Sequence, residues 1–542
     1  MAKVIDKIKS WCCNVNEITL SYVSYHRVTE GFRSYLINGQ RKPSGEEDNG
    51  RTNVTLVSDN KQKAGKTNMN RIFYRADSGY TADIIPFYDN GKYYLFYLHD
   101  YRDHERHGEG TPWHCVSTTD FIRFEEHGEV IPRGMKEDQD LYIFTGCVFK
   151  ESDGRYHIFY TGHNPNLRAQ GKPEQAVMHA VSQDLLHWEK VPEDTFYAPT
   201  DTYEMHDWRD PFVFWNEEAG QYWMLLAART IEGPQTRRGC TALCVSNDLK
   251  RWEVADPLWA PQYHFTHECP DLFRIGDWWY LIYSEFSDRC LTRYRMAKDL
   301  KGPWLAPHND SFDGRPYYAA KSASDGEKRY LFGWNPTKGG NDDHRHWDWG
   351  GQLVVHEIYQ QADGSLGVKV PDSVRGYYDE PVTHAGPIAL ESESGFANAR
   401  IDAKLGCAYR IRAKVTFDGK ATKLGVQLRY NEAADESYVF TLETSKDRLS
   451  FGQFPIQPWN PANYTNVTRP IRFEADRSYE LDIYVEDDVC VAYLDGRLAL
   501  NARMHRNPGE GLALFAADGN ARFDEVTVYR PSKPIRGGDD ET

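Results

Sequence analysis

A short pattern recurs five times along the chain: a glycine followed by an aromatic-rich apolar run. The copies are Gly91 with KYYLFYLHD, Gly154 with RYHIFYTGHN, Gly220 with QYWMLLAART, Gly276 with DWWYLIYSEF and Gly326 with EKRYLFGWNP. They lie 63, 66, 56 and 50 residues apart. A second element alternates with the first. It reads Val116-Ser117 to Asp120-Phe121, Val181-Ser182 to Asp184-Leu185, Val245-Ser246 to Asp248-Leu249, and a degenerate Ala297 to Asp299-Leu300. Phe124, Trp188, Trp252 and Trp304 close the four copies. Each repeat therefore predicts a turn, an inner strand, a polar bend and an outer strand capped by an aromatic ring. One such sheet cannot bury both faces, whereas radial stacking of several does. Five copies predict a five-bladed β-propeller over about residues 71–370. The 14% aromatic content fits strand formation, and it also suits the walls of a sugar-binding cleft.

Beyond Pro371 the texture changes. Residues 371–385 carry prolines and glycines and read as a linker. Past them, Tyr409, Ile411, Ala413, Val415 and Phe417 interleave with Arg410, Arg412, Lys414 and Thr416. That period of two marks strands with one dry and one wet face. Leu481, Ile483 and Val485 repeat it, and Val489, Val491 and Tyr493 run into the turn at Asp495-Gly496. Residues 386–542 thus predict a β-sandwich with a frayed GGDDET tail, and the whole chain an all-β protein. Residues 1–70 form an extension to which the sequence assigns no structure.

Electrostatics and length exclude several partners. Lys and Arg number 64 against 80 Asp and Glu, a net charge of −16. A chain this acidic with no basic patch is a poor ligand for nucleic acid. No apolar run approaches the ~20 residues of a membrane span. The opening MAKVIDKIKSWCCNVNEITL has no apolar h-region, which suggests a cytoplasmic protein with reduced cysteines. His104 with His107 and His344 with His346 have metal-like spacing but lie in charged, loop-like stretches. Neither a metal nor a cofactor is expected.

A propeller directs equivalent positions of its blades to one end of its axis. Asp83, Asp210 and Glu268 precede the glycines of their repeats by 8, 10 and 8 residues. Three carboxylates are thereby predicted to converge. Paired acids with different surroundings are what glycosidic-bond cleavage requires.

Arg209-Asp210-Pro211, Glu268-Cys269-Pro270-Asp271, and the block from Tyr318 through Lys321 and Trp334 to Trp349 resemble glycoside hydrolase family 32. That group holds the β-fructofuranosidases, invertases, inulinases and levanases. Val491 to Arg497 and Gly511 to Phe515 resemble its C-terminal sandwich. The resemblance implies cleavage of β-fructofuranosidic bonds in short fructosides with retention, through a fructosyl-enzyme. It implies Asp83 as nucleophile, Glu268 as general acid/base and Asp210 as transition-state stabiliser, with Arg209 holding a carboxylate charged. Trp113, Phe144, Thr145, His99, Trp334 and Trp349 are further expected around a small oligosaccharide. The chain departs from the family's Asn-Asp-Pro-Asn-Gly motif: it reads Ala82-Asp83-Ile84-Ile85-Pro86, and Leu98-His99 stands where a Gln is usual. The acid is kept while its sequence neighbours change. Three other readings stay open: an arabinofuranosidase-like inverting hydrolase, a fructosyltransferase, and a non-catalytic sugar-binding propeller. The sandwich either braces the propeller or meets a second subunit in a homo-oligomer.

Overall fold

The computed structural model describes residues 71–315, 317–456 and 467–532. The extension over residues 1–70 lies outside the described residues. The repeats form five antiparallel sheets around one axis. Blade 1 holds strands Tyr80–Asp89, Lys92–Asp100, Trp113–Thr118 and Glu125–Ile131. Blade 2 holds Tyr142–Lys150, Tyr156–His163, Gln175–Ser182 and Glu189–Lys190. Blade 3 holds Tyr203–Asn216, Gln221–Thr230, Gly239–Ser246 and Glu253–Trp259. Blade 4 has Glu268–Ile275, Trp278–Glu285 and Leu291–Ala297, with isolated bridges at Leu305 and Ser311 in place of a fourth strand. Blade 5 has Tyr318–Ser324, Arg329–Lys338, Trp347–Gln360 and Leu366–Lys369. The first strand of each blade touches the first strands of its two neighbours, so these five close a ring about the axis. Blades 5 and 1 are also joined directly, through the pair Thr81 and Gly351.

The architecture agrees with the sequence pattern, but one detail differs. The aromatic run after each glycine is the second strand of its blade, and the innermost strand precedes the glycine. The reason is burial. The second strand lies between two hydrogen-bonded neighbours and between adjacent blades, so it is the most apolar. The innermost strand faces the axial funnel and carries polar residues. The Ser-Asp element is a turn between the third and fourth strands. In blade 2, the Asp184 and Leu185 N–H groups both donate to Ser182 Oγ at 3.1 Å. Asp184 Oδ1 then accepts from the Leu186 and His187 N–H groups at 3.0 and 2.8 Å. Ser246 and Asp248 repeat this geometry, and Thr118 and Asp120 do so with a threonine. Side-chain oxygens satisfy the turn's backbone donors, which is why Ser, Thr and Asp recur there.

The segment 371–385 is not a plain linker. It contains a short helix, Asp372–Tyr377, and a strand, Glu380–Ala385, that pairs with Ala521–Arg530 in a sandwich sheet. The sandwich consists of a seven-stranded and a six-stranded antiparallel sheet closed on one apolar core.

Propeller and sandwich meet through buried polar groups. Arg503 donates to the Asn335 side chain at 3.2 Å, to the Pro336 carbonyl at 2.9 Å, and to Gln352 and Asp488 at 2.6 Å each. Arg469 reaches the Asp313 and Ser311 carbonyls at 2.5 and 2.6 Å. His356 of blade 5 bridges Asp313 and Tyr493, at 2.9 Å to each. Removing one partner from such a network strands the others without water. Arg503→Met is therefore expected to lower unfolding free energy by about 3 kcal/mol or more, measured by denaturant unfolding. An unchanged midpoint would show that the two parts do not lean on this arginine.

Candidate active site

Every innermost strand breaks register with its neighbour at one equivalent place. The breaks fall between Ala82 and Ile84, Phe144 and Gly146, Arg209 and Phe212, Glu268 and Asp271, and Tyr318 and Lys321. Each is a bulge: the inner strand carries one residue more than its partner. Asp83, Asp210, Cys269 and Ala319 have left-handed backbones there, with φ of 36°, 58°, 51° and 51°. A bulge bends the strand and re-aims a side chain that strict alternation would send elsewhere. Pro211 and Pro270 fit because the bulge leaves their positions without a ladder hydrogen bond to donate.

The bulges bring the sequence-predicted acids together. Thr145 Oγ1 donates to Asp83 Oδ2 at 2.5 Å, and Trp334 Nε1 donates to Asp83 Oδ1 at 3.0 Å. Both oxygens of Asp83 thus have a donor, one from blade 2 and one from blade 5. The Cys269 N–H donates to Asp210 Oδ2 at 2.9 Å. Arg209 Nη2 donates to Glu268 Oε1 at 3.1 Å, and the Tyr318 hydroxyl donates to Glu268 Oε2 at 2.5 Å. The Asp210 N–H donates to Thr161 Oγ1 at 2.7 Å, and Thr161 Oγ1 donates to the Thr145 carbonyl at 3.0 Å.

Burial governs the electrostatics. It pushes Asp83 up to about 7; the Thr145 and Trp334 donors oppose this, and the charges of Asp210 and Glu268 add to it. Burial also raises Glu268, against Arg209 and with Asp210. It raises Asp210, against Arg209 and the Cys269 N–H. Burial works against the Arg209 charge too, but Glu268, Asp207 and Asp210 outweigh it and hold the guanidinium protonated. Burial, with Asp210, Asp83 and Glu268 around it, keeps the Cys269 thiol protonated. As a neutral thiol it donates from Sγ toward Asp210 Oδ2 at 3.8 Å and Thr145 Oγ1 at 3.7 Å, beside its backbone N–H. The arrangement offers carboxylates of different surroundings around one funnel, as acid/base chemistry on a sugar demands.

The other expected residues divide. Thr145 and Trp334 touch Asp83. Phe144 is half-buried and stacks on His163, with ring centres 4.5 Å apart. Trp349 is 37% exposed at the rim. Arg102 holds the Trp349 carbonyl at 2.9 Å, and Gly350 lies against Ala82, beside Asp83. Trp113 is fully buried, donating from Nε1 to the Phe144 carbonyl at 3.2 Å. It supports the funnel from behind and is not placed to meet a sugar, because the third strand of blade 1 is enclosed on both faces. His99 is also fully buried, stacked on His114 at 4.0 Å and held neutral by burial, which lowers it to about 4. It too is a packing residue. The altered neighbours Ala82 and Ile84 are buried as well.

Sequence reasoning named Tyr318 only as the start of a family-like block and gave it no role. A signal existed: it stands eight residues before Gly326, as Asp83 and Glu268 stand eight before theirs. Among the described residues, metal-type donors gather at His264, Glu285 and Asp288, but Arg293 pairs with both carboxylates at 3.2 and 2.5 Å. No helix among the described residues is long and apolar enough to cross a membrane.

A closed five-blade ring with three acids gathered at or beside its bulges, backed by a β-sandwich, suits glycoside-cleaving chemistry. Residues 74–364, more than half of the chain, match the family model for the glycosyl hydrolases family 32 N-terminal domain. The chain belongs to glycoside hydrolase family 32 and is a glycoside hydrolase. It is 23% identical over 490 residues to a fructan beta-fructosidase of Streptococcus mutans, a match covering 82% of this chain but 31% of that much longer protein. It is 22% identical over 487 residues to a levanbiose-producing levanase of Bacillus subtilis, covering 82% of this chain and 87% of the levanase. Its fold is similar to that of fructan 1-exohydrolase IIa from Cichorium intybus. That pair has a TM-score of 0.68 at 13% identity, over 87% of this chain and 98% of that one.

The raised Asp83 has a stability consequence. Its value in the fold, about 7, lies above that of an unfolded aspartate, near ~4. The unfolded chain releases the proton first, so stability falls as pH rises from about 4 to about 7 and then levels. Asp83→Asn is expected to be more stable than wild type at pH 8, by on the order of 3 kcal/mol. The two should converge at pH 4. Equal stability at both pH values would show that Asp83 keeps its ordinary acidity in the fold.

Proposed function

We propose that this protein is a retaining, exo-acting β-fructofuranosidase that cleaves short fructosides and fructo-oligosaccharides through a covalent fructosyl-enzyme. The observation that carries this is the asymmetry of the carboxylates. Asp83 receives two donors from neutral side chains, which favours a charged, oriented nucleophile despite its burial. Glu268 shares its cation with other acids, which suits a group that must both give and take a proton.

In the first step an Asp83 oxygen attacks the anomeric C2 while Glu268 gives its proton to the glycosidic oxygen. The C2–O bond breaks and the leaving sugar departs as an alcohol. In the second step Glu268, now a carboxylate, takes a proton from water. The water oxygen bonds to C2, the ester breaks, and Asp83 is freed. Asp210, fixed by the Cys269 N–H, faces the hydroxyls of the fructosyl ring and strengthens its contacts as positive charge develops there. A sugar hydroxyl in place of water in the second step would give transfer. Deep burial of the carboxylates favours a chain end over a chain middle, and exposed Trp349 at the rim suits a sugar beyond the cleaved bond. The names of the relatives, fructosidase and levanase, agree in substrate class.

Purified enzyme incubated with short fructosides and arabinofuranosides tests this, with the first-formed anomer followed by NMR before mutarotation. Fructose released with retention is expected, with Asp83→Asn and Glu268→Gln each reducing kcat at least ~1,000-fold. Inversion, or activity on arabinofuranosides alone, would overturn the reading. A second test uses Thr145→Val, which removes a charge-assisted hydrogen bond and keeps the shape. Loss of that donor raises the Asp83 pKa further. The acid limb of kcat/KM is therefore expected to move to higher pH, with a ~10-fold or greater loss below it.

A further inference from the structure

A line of alternating charges runs through blade 3 to Glu268. Arg238 pairs with Glu204. Arg229 Nε lies 3.1 Å from Glu204 Oε2 and 3.6 Å from Asp207 Oδ2. Arg209 Nη1 donates to Asp207 Oδ1 at 2.9 Å, and its Nη2 donates to Glu268 Oε1 at 3.1 Å. The order is therefore Arg238, Glu204, Arg229, Asp207, Arg209, Glu268. The two central arginines are buried. Arg229 is further fixed by the Phe265 and Gln235 carbonyls at 2.7 and 2.6 Å, with its guanidinium 3.6 Å from the Phe265 ring centre. Arg209 is fixed by Thr266 Oγ1 at 2.9 Å and Gln175 Oε1 at 3.4 Å.

We propose that Asp207 and Arg229 are positioning residues that set the proton affinity of Glu268 through Arg209. The reasoning rests on the reading of Glu268 as acid/base. Arg209 is one cation facing three carboxylates: Asp207, Asp210 with its Oδ2 3.8 Å from Nε, and Glu268. What Asp207 takes of that charge Glu268 does not receive. Asp207 thereby keeps Glu268 able to hold a proton. Arg229 in turn neutralises Asp207 and limits how far it draws on Arg209. The other groups facing Glu268 are Asp210 from blade 3, Asp83 from blade 1, Tyr318 from blade 5, and the Cys269 and Cys290 thiols from blade 4. None of these contacts Asp207 or Arg229 in the line of pairs, so they form a constant background to the test.

An alternating line predicts alternating signs. Asp207→Asn frees Arg209 for Glu268 and lowers the Glu268 pKa. Arg229→Met leaves Asp207 uncompensated and raises it. At the separations involved, shifts of about half to one pH unit are expected at an effective dielectric near 20. The readout is the carboxylic-acid band of Glu268 in infrared difference titrations, assigned by its absence in Glu268→Gln, beside the basic limb of kcat on a short fructoside. Arg229→Lys should return both toward wild type. Should Arg229→Met not fold, the half-buried pair gives the same test: Glu204→Gln should shift the band down and Arg238→Met up, each by less than its inner neighbour. Shifts of one common sign, or none in folded variants, would overturn the proposal. If Glu268→Gln keeps wild-type turnover, the acid/base assignment fails instead. The band shifts would still decide whether the line of charges acts on Glu268.

Discussion

The site depends on one backbone feature, the bulge repeated at the same level in all five innermost strands. A strand alternates its side chains between two faces, so a regular inner strand would send every second residue into the funnel and bury the rest. One extra residue breaks that alternation and rotates a chosen side chain toward the axis. Asp83 and Asp210 sit at the bulge itself. Glu268 sits immediately before it, and the bulged Cys269 turns its N–H toward Asp210. Thr145 and Tyr318 occupy the matching places in blades 2 and 5. Left-handed backbones at non-glycine residues are costly and persist only where the surroundings enforce them. Here the ring of neighbouring blades does so. The five aromatic second strands act as the wall that holds the inner ring in its strained course.

That wall also determines the electrostatics. Three carboxylates buried around one axis repel one another, and burial raises all three. A single buried arginine cannot neutralise three acids, and the site does not ask it to. Arg209 leans toward Glu268 and Asp210, the buried Lys321 adds its charge for Asp210, and Asp83 relies on neutral donors. Neutral donors orient a carboxylate and lower its pKa only modestly, whereas a paired cation would hold it ionised but blunt its attack on carbon. In the proposed mechanism, this division of partners separates nucleophilic attack from proton transfer among side chains that are otherwise alike.

The sequence exposed this plan unevenly. Glycine turns and apolar runs are local signals, so the blade count and the alternation of elements could be read directly. The position of each run within its blade could not. Apolar density reports burial, and the second strand of a blade is better buried than the first. Residue type likewise failed to say which aromatic faces the funnel: Trp334 reaches Asp83 while Trp113 is sealed behind Phe144. Prolines and glycines made 371–385 look like a linker, yet Glu380–Ala385 pairs with a strand about 140 residues onward. Pairing over such a distance leaves no local trace. Arg229 ends an apolar run with no motif around it, and its link to Asp207 exists only once two strands lie side by side.

The altered motif around Asp83 shows how far local sequence can mislead about a site built by a ring. Judged by its strand alone, the aspartate has lost its polar company: Ala82 and Ile84 offer nothing to a carboxylate. In the structure both residues are buried and apolar, and the donors to Asp83 arrive from elsewhere. Thr145 lies 62 residues away and Trp334 251 residues away. A propeller brings distant segments to one axis by construction, so the environment of any axial residue belongs mainly to other blades. Changes beside the acid in sequence therefore alter how the strand packs, while changes in the two neighbouring blades alter the donors that the acid receives.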